Sequence, residues 1–407
     1  MKYYKVYIDS TAWMCEGNII ETSRIYRYLL ANGHKVTTTP SEADFFIINS
    51  CGFIQEREDL TLDLYKNFVS QKKDRAKIIL FGCLVMINKE KVRSLDAVAI
   101  EFHEGHKFDE LFFTKVKFND VLPYCDKKTT EELLIAKKTL QESKIITFFF
   151  SRIMMHFSKK VRRNYDAIMD RVRFKDKTLV EICSGCIFRC RYCAIRIAKS
   201  GVHSHSITSI LSNIEKIYDS SQNLFLVADD CGCYGLDINT DLFHLLYEIY
   251  RKFPGAKIEL DAINPYWLMK YPDEYTKLFR DLNIDYATIP VQSGSNRVVK
   301  AMNREYDVMK IRELVQNIKK VSPSTWIYTH FIVGYPGESF MDFLQSLRCS
   351  MYFDLPIALE YSAHSGENAV VLRRQSKFTI SYRFAFFMVF LNFVIFYKLL
   401  TFNDQKK

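Results

Sequence analysis

Along the first hundred residues, short apolar runs alternate with longer stretches whose apolar positions recur every three or four residues. The runs at 4–8, 45–48 and 78–81 have the length and the β-branched or aromatic content of buried strands. The stretches 21–30 and 60–69 carry helical periodicity. This alternation predicts a small doubly wound α/β domain. Between 101 and 177 the pattern dissolves into a polar stretch at 125–138, an aromatic patch at 148–150 and a basic run, which reads as a linker or insertion. From 178 the alternation resumes, with strand candidates at 178–182, 224–228, 258–262, 286–291, 326–333 and 356–361. Helical stretches at 207–218, 242–252, 310–321 and 341–350 separate them. Six such repeats predict an incomplete (β/α)6 barrel, whose reactive edge is the C-terminal end of its strands. The predicted division is 1–115, a basic linker or insertion at 116–172, a barrel at 173–370, and a tail at 371–407.

The tail adds a second kind of pattern. Residues 384–397 are nearly all apolar, interrupted only by Asn392. Fourteen residues fall short of the roughly 20 needed to span a bilayer, and favour a helix packed on the barrel. Extension to Leu400 places Lys398 where it can snorkel, so membrane contact through the C-terminal tail is the alternative. The N-terminal MKYYKVYIDS has no signal-peptide h-region and reads as a first strand, which implies a cytoplasmic protein.

Composition changes this picture little. With 407 residues, 48% hydrophobic and 26% charged, the chain is an ordinary folded protein and not a disordered one. The net charge of +10 suits a polyanionic partner such as RNA, but much of the excess sits in Lys159, Lys160, Arg162, Arg163, Arg171, Arg173, Lys175 and Lys177. Such a run reads first as a solvated linker face, and charge alone establishes no RNA binding.

The cysteines carry the chemistry. Eleven in a reducing compartment are not a disulfide framework, so metal ligation, catalysis or buried thiols remain. Cys15, Cys51 and Cys83 each follow one of the first domain's strand runs. The carboxyl ends of strands in such sheets form one common edge, where three separated thiols can converge. Cys186-Ile-Phe-Arg-Cys190-Arg-Tyr-Cys193 follows the first barrel strand directly. A 4Fe–4S cluster normally takes four cysteines, so a loop supplying three leaves one iron open. That iron can chelate the amino and carboxylate groups of S-adenosylmethionine, whose reductive cleavage gives a radical able to attack a strong C–H bond. A zinc knot completed by Cys183, or inert thiols, are the plainer alternatives. Cys231-Gly-Cys233 lies after the second barrel strand, as packing thiols or as an auxiliary redox pair.

On these motifs the chain resembles the radical S-adenosylmethionine methylthiotransferases, which modify tRNA adenosine or a ribosomal-protein aspartate. The matching segments are Cys15-Glu-Gly-Asn18, Asn49-Ser50-Cys51, Gly82-Cys83 and the three-cysteine loop. Ala228-Asp-Asp230 with Tyr234-Gly235, Pro290-Val-Gln292-Ser-Gly-Ser295, Met302-Asn-Arg304-Glu-Tyr306, Ile332-Val-Gly334-Tyr-Pro-Gly-Glu338 and Tyr361-Ser362 follow in the family's order. The resemblance implies two 4Fe–4S clusters, one on Cys186, Cys190 and Cys193 and a sulfur-donating one on Cys15, Cys51 and Cys83. It implies S-adenosylmethionine as cofactor, contacted by Tyr192, Asp230 and Gln292, and a reductase such as flavodoxin or ferredoxin. It further implies insertion of a methylthio group into tRNA, a ribosomal protein, a peptide or a small metabolite. The chain departs from the family at Arg196, Lys199-Ser200 and His364-Ser365, and no all-β substrate-binding domain is read after residue 370. A related sulfur-inserting or C–H modifying radical enzyme, and a non-catalytic iron–sulfur redox protein, are the alternative expectations.

Overall fold

The computed structural model describes residues 3–12, 15–112, 115–126, 128–129, 133, 177–362 and 375–401. The aromatic patch at 148–150, the basic run up to Lys175, and the departures at His364 and Ser365 lie outside these residues.

The first domain is a five-stranded parallel sheet of β1 (Lys5–Ser10), β2 (Lys35–Val36), β3 (Phe45–Ser50), β4 (Lys77–Gly82) and β5 (Val98–Ile100). Their order is β2-β1-β3-β4-β5, so the sheet is doubly wound and its strand order reverses between β1 and β3. At such a reversal the carboxyl strand ends splay apart and leave a crevice. Strand β3 is buried at every position because helices cover both faces, which explains its unbroken apolar run. Val6, Ile8, Ile25, Leu29, Ile47, Ile79 and Phe81 pack one side, and Phe46, Ile48, Phe68, Ile78 and Leu80 the other.

The second domain is a seven-stranded sheet in the order β14-β13-β12-β11-β10-β7-β6. Six parallel strands, β7 (Lys177–Glu181), β10 (Asn223–Val227), β11 (Ile258–Ala262), β12 (Ile284–Thr288), β13 (Trp326–Val333) and β14 (Leu355–Glu360), occupy the predicted places. The sequence did not foretell β6 (Tyr124–Cys125), which pairs antiparallel with β7 from inside the stretch read as a linker. It is held by side chains: Ser23 and Arg27 of the helix Glu16–Ala31 donate to the Tyr124 carbonyl at 2.9 and 2.8 Å. A small hairpin, β8 (Cys183–Ser184) with β9 (His203–Ser204), closes the base of the cysteine loop.

The C-terminal apolar segment forms one helix, Lys377–Thr401, laid against β13, β14 and the helix Phe340–Ser350. Phe387 and Leu391 enter the barrel core, and Arg383 forms a buried ion pair with Glu338 at 3.2 Å. Phe378, Tyr382, Phe386, Phe393 and Tyr397 face outward. It is the one helix among the described residues long and apolar enough to cross a membrane.

Candidate functional site

The three thiols of the first domain sit on its carboxyl edge. Cys51 follows β3 directly, Cys83 follows β4 and opens the helix Cys83–Ile87, and Cys15 caps the helix after β1. Buried side-chain amides hold these loops together. Ser10 Oγ donates to Asn18 Oδ1, and Asn18 Nδ2 donates to Asn49 Oδ1 at 3.2 Å. Asn49 Nδ2 in turn donates to the Asn18 carbonyl (3.0 Å) and to Thr22 Oγ1 (2.9 Å). The Cys51 amide donates to Thr11 Oγ1 at 2.8 Å, and Ser50 Oγ to the Phe81 carbonyl at 2.7 Å. The asparagines of the two motifs therefore fix the backbones that carry the sulfurs. The thiols lie near enough for Cys51 and Cys83 both to act electrostatically on Cys15. Burial pushes the Cys83 thiol up to about 12 and raises Cys51 as well, so ligand binding there must release protons.

The barrel loop is built with equal care. Gly185 takes φ 81° and its amide donates to Asp229 Oδ2 at 2.7 Å, turning the chain into Cys186. The Arg191 amide donates to the Met302 carbonyl at 3.0 Å, and Asn303 Nδ2 to the Arg189 carbonyl at 2.9 Å. Arg304 Nη1 donates to Tyr192 Oη at 2.5 Å. The Met302-Asn-Arg304 motif thus clamps the cysteine loop from across the barrel. Burial raises the Cys190 thiol and lifts Cys193 to about 12, and each also feels its neighbouring thiols.

The residues expected to touch a cofactor separate into two groups. Tyr192 and Gln292 line a cavity of about 750 Å³, with His330, Ile332, Tyr361 and Phe384. Gln292 holds φ 62° between backbone bonds to His330 and Ile332, and its buried Oε1 has no hydrogen-bond partner among the described residues. An orphaned acceptor aimed at a cavity fits a ligand that donates there. Asp230 is placed otherwise. Its Oδ1 accepts from the Gly232 and Asn264 amides (both 3.1 Å), and its Oδ2 from Trp267 Nε1 (3.0 Å) and the Cys233 thiol (3.3 Å). It lies under the loop, not along the cavity. Cys186, Asp230 and Cys233 are the one trio of donor atoms, among the described residues, close enough for a single metal ion. Cys231 and Cys233 are both buried, Cys231 within the barrel core and Cys233 against the Asp230 carboxylate.

Sequence reasoning missed His330, since nothing in an isolated histidine marks it. Burial holds it down to about 4, so it is neutral at physiological pH. The cavity also reaches Phe53, Ile54 and Glu56, just beyond Cys51. The Gln55 amide donates to Ser362 Oγ at 3.3 Å, and the helix Cys83–Ile87 packs on the helix Ile195–Lys199. One cavity is therefore walled by the chain next to Cys51 and by the chain next to Cys193.

Residues 180–349 match the model of the radical SAM superfamily, and residues 5–102 that of the uncharacterized protein family UPF0004. The chain is 27% identical over 340 residues to the ribosomal protein uS12 methylthiotransferase RimO of Chlamydia abortus, covering 81% of this chain and 65% of that protein. It is 28% identical over 350 residues to the probable threonylcarbamoyladenosine tRNA methylthiotransferase of Pyrococcus abyssi, covering 84% and 73%. The chain thus spans just under two thirds of the length of the chlamydial relative. Among solved structures, the radical S-adenosylmethionine methyltransferase TsrM from Kitasatospora setae aligns at TM-score 0.51 and 10% identity, covering 88% of this chain and 75% of that one. At that identity the likeness speaks for the fold alone.

Proposed function

We propose, from the premise that this chain belongs to the radical S-adenosylmethionine methylthiotransferase family, that it inserts a methylthio group into an unreactive C–H bond. The observation that carries this reading is a cavity walled both by Phe53, Ile54 and Glu56, just beyond Cys51, and by Tyr192 and Gln292, beside and across from the three-cysteine loop. Cys186, Cys190 and Cys193 would hold one 4Fe–4S cluster, and Cys15, Cys51 and Cys83 a second, three thiolates to each. When bound, these clusters and S-adenosylmethionine supply the one-electron chemistry that opens the C–H bond and the sulfur and methyl groups it receives. The chain's own part is to bind, orient and exclude water. The Tyr192 ring, held through Oη by Arg304, offers an aromatic face beside the loop, and the unpartnered Gln292 Oε1 would accept a hydrogen bond from a bound cofactor. Asp230 positions Cys186 and Cys233 from below instead of touching the cofactor. Ile332 and Phe384 keep the cavity walls apolar.

The substrate is a tRNA nucleoside or a protein side chain, the two kinds of target that the relatives' names record. A flavodoxin- or ferredoxin-type reductase delivers the electrons. The outward aromatic residues of the helix Lys377–Thr401 favour contact with a membrane surface, since that helix has no acidic residue to oppose anionic headgroups.

The test is nucleoside and peptide mass spectrometry with and without the gene, joined to two variants of the anaerobically reconstituted protein. Cys190→Ala is expected to abolish cleavage of S-adenosylmethionine, and Cys51→Ala to spare cleavage while blocking sulfur transfer. Full sulfur transfer by Cys51→Ala would overturn the donor assignment.

A further inference from the structure

Lys199 is a lysine from the barrel whose ammonium is buried against the other domain. It ends the helix Ile195–Lys199, and its side chain is only 8% exposed. Nζ pairs with Asp229 Oδ2 at 2.9 Å and lies 4.7 Å from the centre of the Phe102 ring, which belongs to the first domain. A Cβ added to Gly17, two residues beyond Cys15, would stand 3.6 Å from that nitrogen. The Lys199 carbonyl accepts from His103 Nε2 at 2.8 Å, again across the domain boundary. Asp229 also receives the Gly185 amide that precedes Cys186. A buried cation needs a partner, and an isolated one would be expelled from such a contact.

We propose that the Lys199–Asp229 ion pair is the positioning bridge between the two thiol sets, fixing their mutual facing and placing a permanent positive charge beside Cys83. The inference rests on the two-cluster reading for its electrostatic half and on geometry alone for its docking half. Burial disfavours the ammonium, but Asp229, Glu181 and Cys83 together outweigh it and favour the charged form, and Glu21 lies in the same field. Asp229 holds the Gly185 amide that leads into Cys186, while Lys199 meets Phe102 of the first domain from a helix packed on Cys83–Ile87, so the pair reaches from one thiol loop to the other. A fixed cation near an iron–sulfur cluster favours its reduced, more negative state and raises the reduction potential.

The experiment uses the full chain carrying Cys186→Ala, Cys190→Ala and Cys193→Ala, so that an electron paramagnetic resonance titration reads the first-domain cluster by itself. Lys199→Met is expected to shift its midpoint to more negative potential, Lys199→Arg to leave it near the parent, and Asp229→Asn to shift it positive. An unchanged midpoint in Lys199→Met and Asp229→Asn overturns the electrostatic role. Small-angle scattering of the metal-free full chain reads the docking separately. Lys199→Met is expected to enlarge the radius of gyration while Lys199→Arg preserves it, and an unchanged radius overturns the bridge. If no cluster assembles in the cysteine-replaced background, the two-cluster reading fails, and the scattering still decides the bridge.

Discussion

Replacing Gly185 with alanine isolates the local geometry that delivers Cys186. An ideal Cβ at this position would lie 1.5 Å from the Gly201 carbonyl oxygen and 2.6 Å from its carbon, far inside van der Waals contact. Both atoms are backbone, so no side chain can swing aside. The φ of 81° adds about 1–2 kcal/mol for any residue with a Cβ. Relief of the clash must part β8 from β9 and stretch the bond from the Gly185 amide to Asp229, a charge-assisted bond worth about 1.5–3 kcal/mol. The expected loss is therefore about 3–5 kcal/mol. Two other glycines calibrate it. Gly201 has φ 120° but open space around its Cβ position, so Gly201→Ala should cost only the backbone strain of about 1–2 kcal/mol. Gly255 has neither constraint, and Gly255→Ala should be near neutral. Urea unfolding of the metal-free protein followed by tryptophan fluorescence suits the test, because Trp267 and Trp326 both lie in the barrel. If Gly185→Ala loses under about 1 kcal/mol, or no more than Gly201→Ala, the proposed packing of the cysteine loop on the Gly201 turn is wrong.

Three further outcomes follow from the same geometry. His330 is held to about 4 by burial while an unfolded histidine titrates near 6.5, so the unfolded chain takes up protons first as pH falls. Stability should drop by about 2 kcal/mol between pH 7 and pH 5, and His330→Gln should flatten that slope in pH-dependent denaturation; an unaltered slope refutes the burial. Glu259→Gln removes the carboxylate paired with buried Lys177 and should cost about 3–5 kcal/mol in thermal or chemical unfolding, with a loss below about 1 kcal/mol contradicting the pairing. Phe387→Ala takes a fully buried ring from beneath the C-terminal helix and should cost about 3–5 kcal/mol, with faster proteolysis after residue 375; protection equal to the parent would show that the helix is held by other contacts.

The barrel was legible because its strands are covered on both sides, which favours largely apolar runs such as 224–228. The short strands were not: β2 and β6 have two residues each, too few for any periodicity, and Arg27 and Ser23 hold β6 by its Tyr124 carbonyl from a helix about a hundred residues earlier. Cys51 and Cys83 were readable as strand-end residues, and the structure puts them on one edge. What the sequence could not convey is how Asn18 and Asn49 join hands beneath them, since that bond forms only when β1 and β3 lie side by side. The resemblance implied that Asp230 contacts the cofactor. The tight turn Cys231–Cys233 draws amide and indole donors around it and turns its carboxylate inward. Lys199 showed only as a departure from a family motif, because its partners Asp229 and Phe102 come from separate domains. His330 and the wall formed by residues 53–56 depend likewise on how the two domains dock.

Iron and sulfide analysis of the anaerobically reconstituted full chain, beside one variant lacking Cys15, Cys51 and Cys83 and another lacking Cys186, Cys190 and Cys193, tests the central claim most directly. About eight irons in the parent, falling to about four in each variant, is the result expected of two separate three-thiolate sites. A parent that holds about four irons, or zinc in their place, or a first variant that retains the parent's full iron, would contradict it.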